Sequence, residues 1–238
     1  MAELVLGVVG ATGRLGSALL AECALSGVEV GVTASRVGWV AASQASVLVD
    51  ASAPEALPDT VAYCEKTGAA LIYCVSRISD DARDRLRALA RDVPVVLADN
   101  LSIGHWLQMR LVRSVAELTA ALPQRPLMSV HERHPVTKAD RPSASARSLA
   151  AAWAESVPPE LCGETSAQRA GQPVSDHVVT FDVPGMSLSI THSVTDLRTA
   201  AAGLLGVAGH VRGLVAGYHP IFTVYSDVYG GSAVTRDG

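Results

Sequence analysis

Short apolar runs alternate with longer amphipathic stretches over the first hundred positions of the chain. Short runs rich in apolar residues, which are typical of strands buried on both faces, occupy residues 4–9, 28–32, 47–49, 70–75 and 93–97. Between most of them, residues 15–25, 55–66 and 80–91 carry apolar side chains at helical spacing. This alternation predicts an α/β fold with a doubly wound parallel sheet of the Rossmann type.

After residue 100 the hydrophobic pattern changes and predicts a second, α+β domain. Residues 104–122 and 143–155 have helical periodicity, with a strand and a polar, proline-bearing segment between them. Residues 177–192 alternate apolar and polar positions on both sides of a Pro-Gly turn, which is typical of an antiparallel hairpin. A helix over residues 199–212 and a short tail follow. We therefore expect one domain over 1–103, completed by 199–238, and another over 104–198.

Composition and charge remove several classes of function. The chain is 49% hydrophobic and 18% charged, as in ordinary globular enzymes, and its net charge of -4 with scattered basic residues argues against a nucleic-acid partner. No apolar run reaches membrane-spanning length, and the N-terminus lacks the pattern of a secretory signal. We therefore expect no membrane partner. The four cysteines show no C-x-x-C spacing, which favours a reduced, cytoplasmic setting.

A glycine-rich segment follows the first predicted strand and precedes the first predicted helix. Gly10, Gly13 and Gly16 lie where backbone N–H groups and a helix dipole can hold a pyrophosphate. We therefore expect Gly10, Thr12, Gly13, Arg14 and Leu15 to bind a nicotinamide dinucleotide. The alternative is a tight β–α turn that binds no ligand.

The end of the second predicted strand bears on the choice of cofactor. A carboxylate at this position usually binds the adenosine ribose, but this chain has Ser35 and Arg36 instead. A hydroxyl and a guanidinium suit a 2′-phosphate, so we expect NADPH as cofactor, with NADH possible. Arg36 as an ordinary solvated side chain is the alternative.

Residues 131–146 concentrate groups that can carry chemistry. Glu132, His134, Lys138 and Asp140 lie within nine positions of one another and precede two serines. His134 can serve as a general acid and Lys138 as a fixed positive charge for an anionic substrate. A polar loop that caps the next helix explains the same composition equally well. We expect no metal site, because His177 and His192 have no carboxylate or cysteine at ligand spacing.

The same segment resembles the signature of the 4-hydroxy-tetrahydrodipicolinate (dihydrodipicolinate) reductases, E-x-H-H-x-x-K-x-D-A-P-S-G-T-A. The agreeing positions are Glu132, His134, Lys138, Asp140, Pro142, Ser143 and Ala146. Four other stretches agree with the family in the same order, namely residues 10–16, 49–55, 100–104 and 177–192. The resemblance spans nearly the whole chain.

The resemblance implies a function and a set of site residues. It implies an NAD(P)H-dependent reductase of a cyclic or conjugated imine carboxylic acid, as in lysine and diaminopimelate biosynthesis, that assembles as a homotetramer. His134 would protonate the product, Lys138 would support the developing charge, and Ser143, Ala144 and Ser145 would bind a substrate carboxylate. The cofactor would also contact Ser52, Val75 and Asn100. The first domain would thus bind the dinucleotide, and the second would bind substrate and oligomerise.

This chain departs from the family pattern at several positions. Pro135 replaces the second histidine of the pair, and Ala144-Ser145 replaces Gly-Thr. The family's G-T-T-G loop after the fourth strand is Cys74-Val75-Ser76-Arg77 here, and its F-T after the third strand is Ala51-Ser52. Arg77 could contact a different or more anionic substrate. A homologue redirected to another small molecule, or a redox-silent lyase, cyclase or non-catalytic member, therefore stays open.

Overall fold

The computed structural model describes residues 3–76, 78–171 and 175–231. The chain divides into two compact units, one of Met1–Leu101 with Leu197–Gly238 and the other of Ser102–Asp196. The described strands are β1 (Val5–Val9), β2 (Glu29–Ser35), β3 (Gly38–Ala41), β4 (Val47–Asp50), β5 (Ala70–Tyr73), β6 (Pro94–Leu97), β7 (Leu127–Pro135), β8 (Cys162–Ala170), β9 (Ser175–Val183), β10 (Met186–Val194) and β11 (Gly217–Pro220). The described α-helices are α1 (Arg14–Ser26), α2 (Leu57–Thr67), α3 (Asp80–Leu89), α4 (Ile103–Leu118), α5 (Ala144–Ala154), α6 (Arg198–Val211) and α7 (Ile221–Tyr229).

The first unit is built on a seven-stranded sheet with the order β11-β6-β5-β4-β1-β2-β3. All neighbouring strands are parallel except β3, which pairs antiparallel with β2. Every residue of β4 and β5 is buried, as continuous apolar runs predict for strands covered on both faces. The Rossmann-type α/β prediction for this part of the chain is confirmed.

Local sequence signals explain the helices that flank this sheet. In α1, Gly16, Leu19 and Cys23 recur at helical spacing and are all buried. Ser79 caps α3 by accepting a hydrogen bond from the Ala82 N–H, and two aspartates follow in the first turn. Among the described residues, no helix combines the length and apolarity needed to cross a bilayer.

Three elements of this unit were not predicted. The four residues of β3 are all exposed, so they carry no apolar signal of a buried strand. The predicted tail contains β11, which pairs in parallel with β6, and α7. The strand β11 reads Gly-Tyr-His-Pro, and glycine and proline are depleted in strands. Pairing with β6 thus overrides a weak local preference.

The second unit contains a four-stranded sheet with the order β10-β9-β7-β8. The predicted hairpin is confirmed, because β9 and β10 pair antiparallel from Met186↔Val183 to Val194↔Ser175. The strand β8 was not predicted, since its largely polar sequence lacks an apolar run. It pairs in parallel with β7 and forms one edge of the sheet.

Helices α4 and α5 pack on this sheet. The fully buried side chain of Trp153 on α5 lies against Phe181 on β9, with ring centroids 5.2 Å apart. Leu149, also fully buried, belongs to the same helix face. This aromatic and aliphatic core covers the sheet face on which the ionisable side chains described next are found.

Candidate active site

Two ionisable side chains of β7 point into the interior of the second unit. Buried and exposed positions alternate along this strand, as its period of two requires. Glu132 and His134 therefore share the covered face with Met128 and Val130. Their exposed fractions are 0% and 6%. Burial of both groups means that each requires partners inside the protein.

Glu132 is held as a carboxylate by three donor contacts. The Ser143 N–H donates to Oε1 and Oε2 at 3.0 and 3.1 Å, and Arg169 Nη2 donates to Oε1 at 3.1 Å. Burial alone would raise the pKa of Glu132, but the hydrogen bonds from Ser143 and Arg169 outweigh it and lower the pKa. Sequence reasoning had not singled out Arg169, which reaches this site because β8 is the neighbour of β7.

The imidazole of His134 turns one nitrogen towards buried partners. Its Nε2 lies 3.4 Å from Glu132 Oε2 and 3.3 Å from His177 Nε2. Burial lowers the pKa of His134, the Glu132 carboxylate opposes this effect, and the positive charges of Lys138 and Arg169 add to it. His134 thus binds a proton less readily than a solvated histidine, which suits a group that gives its proton away.

Lys138, the second predicted catalytic residue, lies in the segment that follows β7. Its Nζ pairs with Asp140 Oδ1 at 3.0 Å, and its side chain is 35% exposed. Burial tends to raise the pKa of Asp140, but the hydrogen bond and charge of Lys138 and the N–H of Ala144 lower it. The Lys138 ammonium and the Ala144 N–H, both expected to bind a substrate carboxylate, are therefore bound to the carboxylate of Asp140 instead.

The predicted carboxylate-binding residues lie at the N-terminus of α5. Ser143 is buried, and its Oγ accepts a hydrogen bond from the Ala146 N–H at 3.1 Å as the helix cap. Its own N–H is bonded to Glu132. Ala144 is exposed and Ser145 half-buried, so these two residues are the part of the turn that solvent reaches.

Sequence analysis missed the role of His177. The expectation that no carboxylate accompanies it is wrong, because its Nε2 lies 3.8 Å from Glu132 Oε2. The antiparallel pairing of β7 and β9 places Glu132 directly opposite His177, although the two residues are 45 positions apart in the sequence. Gln108 on α4 donates from Nε2 to the carbonyl oxygens of His177 and Ile190 at 3.0 and 2.9 Å. Only strand pairing brings these groups together.

Two further histidines surround His177. His105 is buried, with Nε2 2.9 Å from Ser148 Oγ, and His192 Nε2 lies 2.9 Å from Ser102 Oγ. Burial, reinforced by the neighbouring histidines, lowers the pKa of His177 to about 3. Burial and His192 lower the pKa of His105 to about 4. Both imidazoles are consequently neutral at pH 7.

The ligand atoms of Glu132, His134 and His177 lie within 4.8 Å of one another, close enough to approach one metal ion. Both carboxylate oxygens of Glu132 already accept hydrogen bonds from Ser143, and Arg169 adds a positive charge. A metal cation at this position would face that guanidinium and be repelled. The chemistry of the donor set therefore favours a hydrogen-bonded proton site, and we assign no metal to it.

The glycine turn in the first unit has the features that a bound pyrophosphate requires. Gly10 adopts φ +82°, and a Cβ there would lie 2.7 Å from the carbonyl oxygen of Ala51. A Cβ on Gly16 would lie 2.2 Å from the Gly10 oxygen, so α1 packs on the turn only without a side chain. Gly13 caps α1 with no side-chain hydrogen bond. The N–H groups of the first turn, at Arg14 and Leu15, thus face no side-chain cap.

Other predicted cofactor residues lie at the carboxyl edge of the same sheet. Ser35 ends β2, and Arg36 is exposed in the turn between β2 and β3. Ser52 follows β4, and its N–H and Oγ both donate to Asp50 Oδ1, at 3.0 and 2.5 Å. Asp50 is fully buried, and burial raises its pKa against these hydrogen bonds. These hydrogen bonds fix the conformation of the loop after β4.

The remaining predicted cofactor residues differ in how far their side chains are exposed to a ligand. The side chain of Val75 is 6% exposed and belongs to the hydrophobic core, so only its backbone could face a ligand. Asn100 follows β6 and is half-buried. Thr12 is exposed at the glycine turn. Arg77, the candidate substrate residue of the altered loop, lies outside the described residues.

Comparison with known proteins identifies the family. A model described as the C-terminus of dihydrodipicolinate reductase matches residues 104–222, and the corresponding N-terminus model matches residues 20–101. A curated 4-hydroxy-tetrahydrodipicolinate reductase from Thiobacillus denitrificans (strain ATCC 25259 / T1) is 31% identical, covering 87% of this chain and 84% of its own. A relative of the same name from Pseudomonas fluorescens (strain SBW25) is 28% identical, covering 90% of this chain and 86% of its own.

Solved structures share the fold. A dipicolinate-bound dihydrodipicolinate reductase from Paenisporosarcina sp. TG-14 superposes with a TM-score of 0.71 at 14% identity, covering 92% of this chain and 98% of the other. A myo-inositol dehydrogenase from Corynebacterium glutamicum ATCC 13032 gives a TM-score of 0.55 at 11% identity, covering 91% of this chain and 90% of the other. The resemblance expected from residues 131–146 is confirmed by the family models and the curated relatives. The chain belongs to the dihydrodipicolinate reductase family.

Proposed function

We propose that this chain reduces 4-hydroxy-tetrahydrodipicolinate, a cyclic imine carboxylic acid, with a nicotinamide dinucleotide as reductant. The observation that carries the proposal is the joint presence of His134 and Lys138 beside one another in a chain whose two units match the two halves of one reductase family. A buried imidazole can supply a proton, and an ammonium can stabilise negative charge. No observation favours a redirected or redox-silent role.

The first unit supplies the groups that would hold the cofactor. The Gly10 and Gly16 positions exclude side chains from the turn, and the uncapped first turn of α1 offers N–H donors to a pyrophosphate. When bound, the nicotinamide supplies the hydride for the reduction. The altered loop at Val75 would contribute backbone groups rather than a side chain, because that side chain is part of the core.

NADPH is the proposed preference over NADH. Arg36 is exposed directly after β2, where a guanidinium can bind a 2′-phosphate through charge-assisted hydrogen bonds. Ser35 ends the same strand and adds a hydroxyl group. A carboxylate, which would repel that phosphate, is absent from both positions.

The second unit supplies the acid. With Nε2 of His134 turned towards Glu132 and His177, the other ring nitrogen, Nδ1, is the one left to exchange a proton with substrate. Lys138 and Arg169 lower the pKa of His134 and so increase its tendency to release that proton. The proton that the imine reduction consumes would therefore pass from Nδ1 of His134.

A substrate carboxylate would compete with Asp140. The Lys138 ammonium and the Ala144 N–H already bind this carboxylate of the protein, so an incoming anion has to displace it or share these donors. Ser145, half-buried at the start of α5, adds a hydroxyl near the same helix N-terminus.

We further propose a homotetramer in a cytoplasmic setting. The family resemblance supports the tetramer, and the four unpaired cysteines support the cytoplasmic setting.

Titration with NADPH, followed by nicotinamide fluorescence, and then addition of the imine substrate test the proposal. We expect binding, and oxidation of NADPH only after the imine is added. Failure to bind at millimolar NADPH would refute the dinucleotide site, whereas binding without oxidation would refute the proposed substrate.

For the cofactor preference, Arg36→Ala should weaken NADPH binding more than NADH binding. An equal effect on both would contradict the assignment of Arg36.

A further inference from the structure

We propose that His177 is a positioning residue for the acid: its Nε2 accepts a hydrogen bond from the Nε2–H of His134, which leaves Nδ1 of His134 as the nitrogen that exchanges protons. The proposal rests on the proposed function only in naming His134 as the acid. Its structural content, a fixed tautomer and a fixed ring orientation, concerns residues of the second unit alone.

The direction of this hydrogen bond follows from Glu132. Nε2 of His134 faces Glu132 Oε2 at 3.4 Å and His177 Nε2 at 3.3 Å. An ionised carboxylate can only accept hydrogen bonds, so a bare lone pair on His134 Nε2 would be repelled by it. His177 Nε2 lies farther from the same oxygen, at 3.8 Å. The nearer nitrogen, His134 Nε2, therefore carries the hydrogen, and His177 Nε2 is the acceptor.

The surroundings of His177 agree with an acceptor at Nε2. Ser143 Oγ, which accepts from the Ala146 N–H, lies 3.4 Å from His177 Nε2, but its side chain hydrogen-bonds to the Glu132 carboxylate. The single lone pair of His177 Nε2 is therefore left for the His134 N–H. Burial lowers the pKa of His177 to about 3, so its ring stays neutral over the working pH range. The remaining Nδ1 is buried without a hydrogen-bond partner among the described residues. The protein tolerates this unsatisfied group, which has a cost in stability, at a position beside the acid.

The ring of His177 is well fixed. It is 2% exposed, its backbone oxygen accepts from Gln108 Nε2, and it stacks on His192 with an interplanar angle of 12°. An acceptor that is immobilised before substrate binds loses little entropy when it orients the acid. His177 can thus hold the His134 ring in one orientation without a charge of its own.

Other groups also face His134 and set its proton affinity. Glu132 on the same strand raises the pKa, Arg169 from β8 and Lys138 from the following segment lower it, and Asp140 beside Lys138 raises it. Against these charges, His177 contributes a neutral acceptor on the side of β9. An acceptor stabilises the imidazolium, so its removal should make His134 a stronger acid.

The test compares three variants and uses NMR titration of the His134 ring, with the resonance assigned by its loss in His134→Gln. In His177→Leu, which removes the acceptor, we expect the acid dissociation constant of His134 to rise about tenfold. We expect kcat to fall about 3- to 10-fold, while KM values for both substrates stay unchanged. His177→Gln, whose amide oxygen can replace Nε2, should restore both quantities. His131→Leu is the matched control and should leave both unchanged, because His131 lies on the exposed side of β7 and contacts Ser166.

Circular dichroism establishes that each variant is folded before it is compared. An unchanged His134 titration in folded His177→Leu would overturn the proposal, as would an equal shift in His131→Leu or no rescue by His177→Gln. If His177→Leu does not fold, the His177→Gln titration decides alone: agreement with wild type supports an acceptor role, and a shift refutes it. The titration needs no substrate, so a protein without reductase activity would refute the proposed function and still test this role.

Discussion

Two residues proposed for the same reaction have opposite environments. His134 is 6% exposed and surrounded by acceptors and cations, whereas the Lys138 side chain is 35% exposed and paired with Asp140. Burial makes the proton of His134 sensitive to each neighbouring charge, because low dielectric strengthens those interactions. The half-buried Lys138 ammonium needs only to lie near the reacting atoms to stabilise negative charge. The difference agrees with the proposed roles, proton transfer for His134 and charge stabilisation for Lys138.

Removal of the acid should affect catalysis alone. His134→Gln should lower kcat by about 10²–10⁴, because a general acid contributes about this much and glutamine cannot donate an ionisable proton. NADPH affinity, measured by fluorescence titration, should stay unchanged. His131→Gln is the control: His131 lies on the same strand but on its exposed side, with Nδ1 2.9 Å from Ser166 Oγ. Equal losses in both variants would contradict the assignment.

Glu132 should control the pH dependence of the reaction. Its carboxylate raises the pKa of His134 against the effect of burial, so Glu132→Gln should lower that pKa further. Since the reaction needs protonated His134, activity falls as pH rises through this pKa. The falling limb of kcat/KM against pH should therefore move to lower pH in the variant. A limb at unchanged or higher pH would show that another group controls it.

At the scale of elements, the junction of β1 and α1 depends on the absence of side chains. Gly16 lies in the first turn of the helix, where alanine would normally be favoured, but its Cβ would lie 2.2 Å from a backbone oxygen. The clash is with backbone, so it cannot be relieved by a side-chain rotation. The close packing that this permits is the same feature that opens the helix N-terminus to a ligand.

Two glycine-to-alanine changes in helices of the first unit should have opposite effects. Gly16→Ala should lower the free energy of unfolding by about 1–3 kcal/mol, because the turn has to move, and should weaken NADPH binding. At Gly209 in α6, a Cβ would meet nothing within 4 Å. Gly209→Ala should therefore raise the free energy of unfolding by about 0.5–1 kcal/mol through helix propensity and leave NADPH binding unchanged. Urea unfolding and fluorescence titration measure both. Stabilisation by Gly16→Ala would contradict the close contact.

The buried histidines of α4 and β9 should make the protein acid-sensitive. Burial lowers the pKa values of His105 and His177 to about 4 and about 3, below the ordinary histidine value of about 6.5. The unfolded chain therefore binds more protons than the folded one below about pH 6.5, and each histidine should cost about 1.4 kcal/mol per pH unit down to its folded pKa.

Urea unfolding at pH 7.5 and pH 5 measures this loss. His105→Gln should reduce the difference between the two free energies of unfolding by about 2 kcal/mol, because one linked proton is removed. His210→Gln is the control, since this histidine is exposed on α6. A pH dependence that is the same in all three proteins would show that His105 does not contribute to it.

At the scale of the whole molecule, the second unit has helices on one face of its sheet. Leu127, which is 42% exposed, and the Thr180–Ser189 pair lie on the opposite face of that sheet. The family resemblance implies that copies of the chain associate, and an uncovered sheet face is a suitable surface for this. Light scattering should give four times the 24.7 kDa of one chain. A mass of 24.7 kDa would refute the tetramer.

Much of the fold could be predicted from hydrophobic periodicity. The strands β4 and β5 are continuous apolar runs buried on both faces, and α3 has both a capping serine and acidic residues in its first turn. The strands β3, β8 and β11 could not be predicted, because they are exposed, polar or contain glycine and proline. Their pairing depends on a neighbouring strand rather than on local preference.

The features of the candidate site also fall into those that the sequence predicts and those that only the tertiary structure decides. Sequence alone determined the glycine turn, the paired positions of His134 and Lys138, and the family, because these are properties of residues close together in the chain. Only the tertiary structure decided that Glu132 faces His177, that Arg169 neutralises it, and that Asp140 occupies donors expected for substrate. The physical reason is that hydrogen bonding and burial depend on distance in space, and strand pairing joins positions that no local pattern relates.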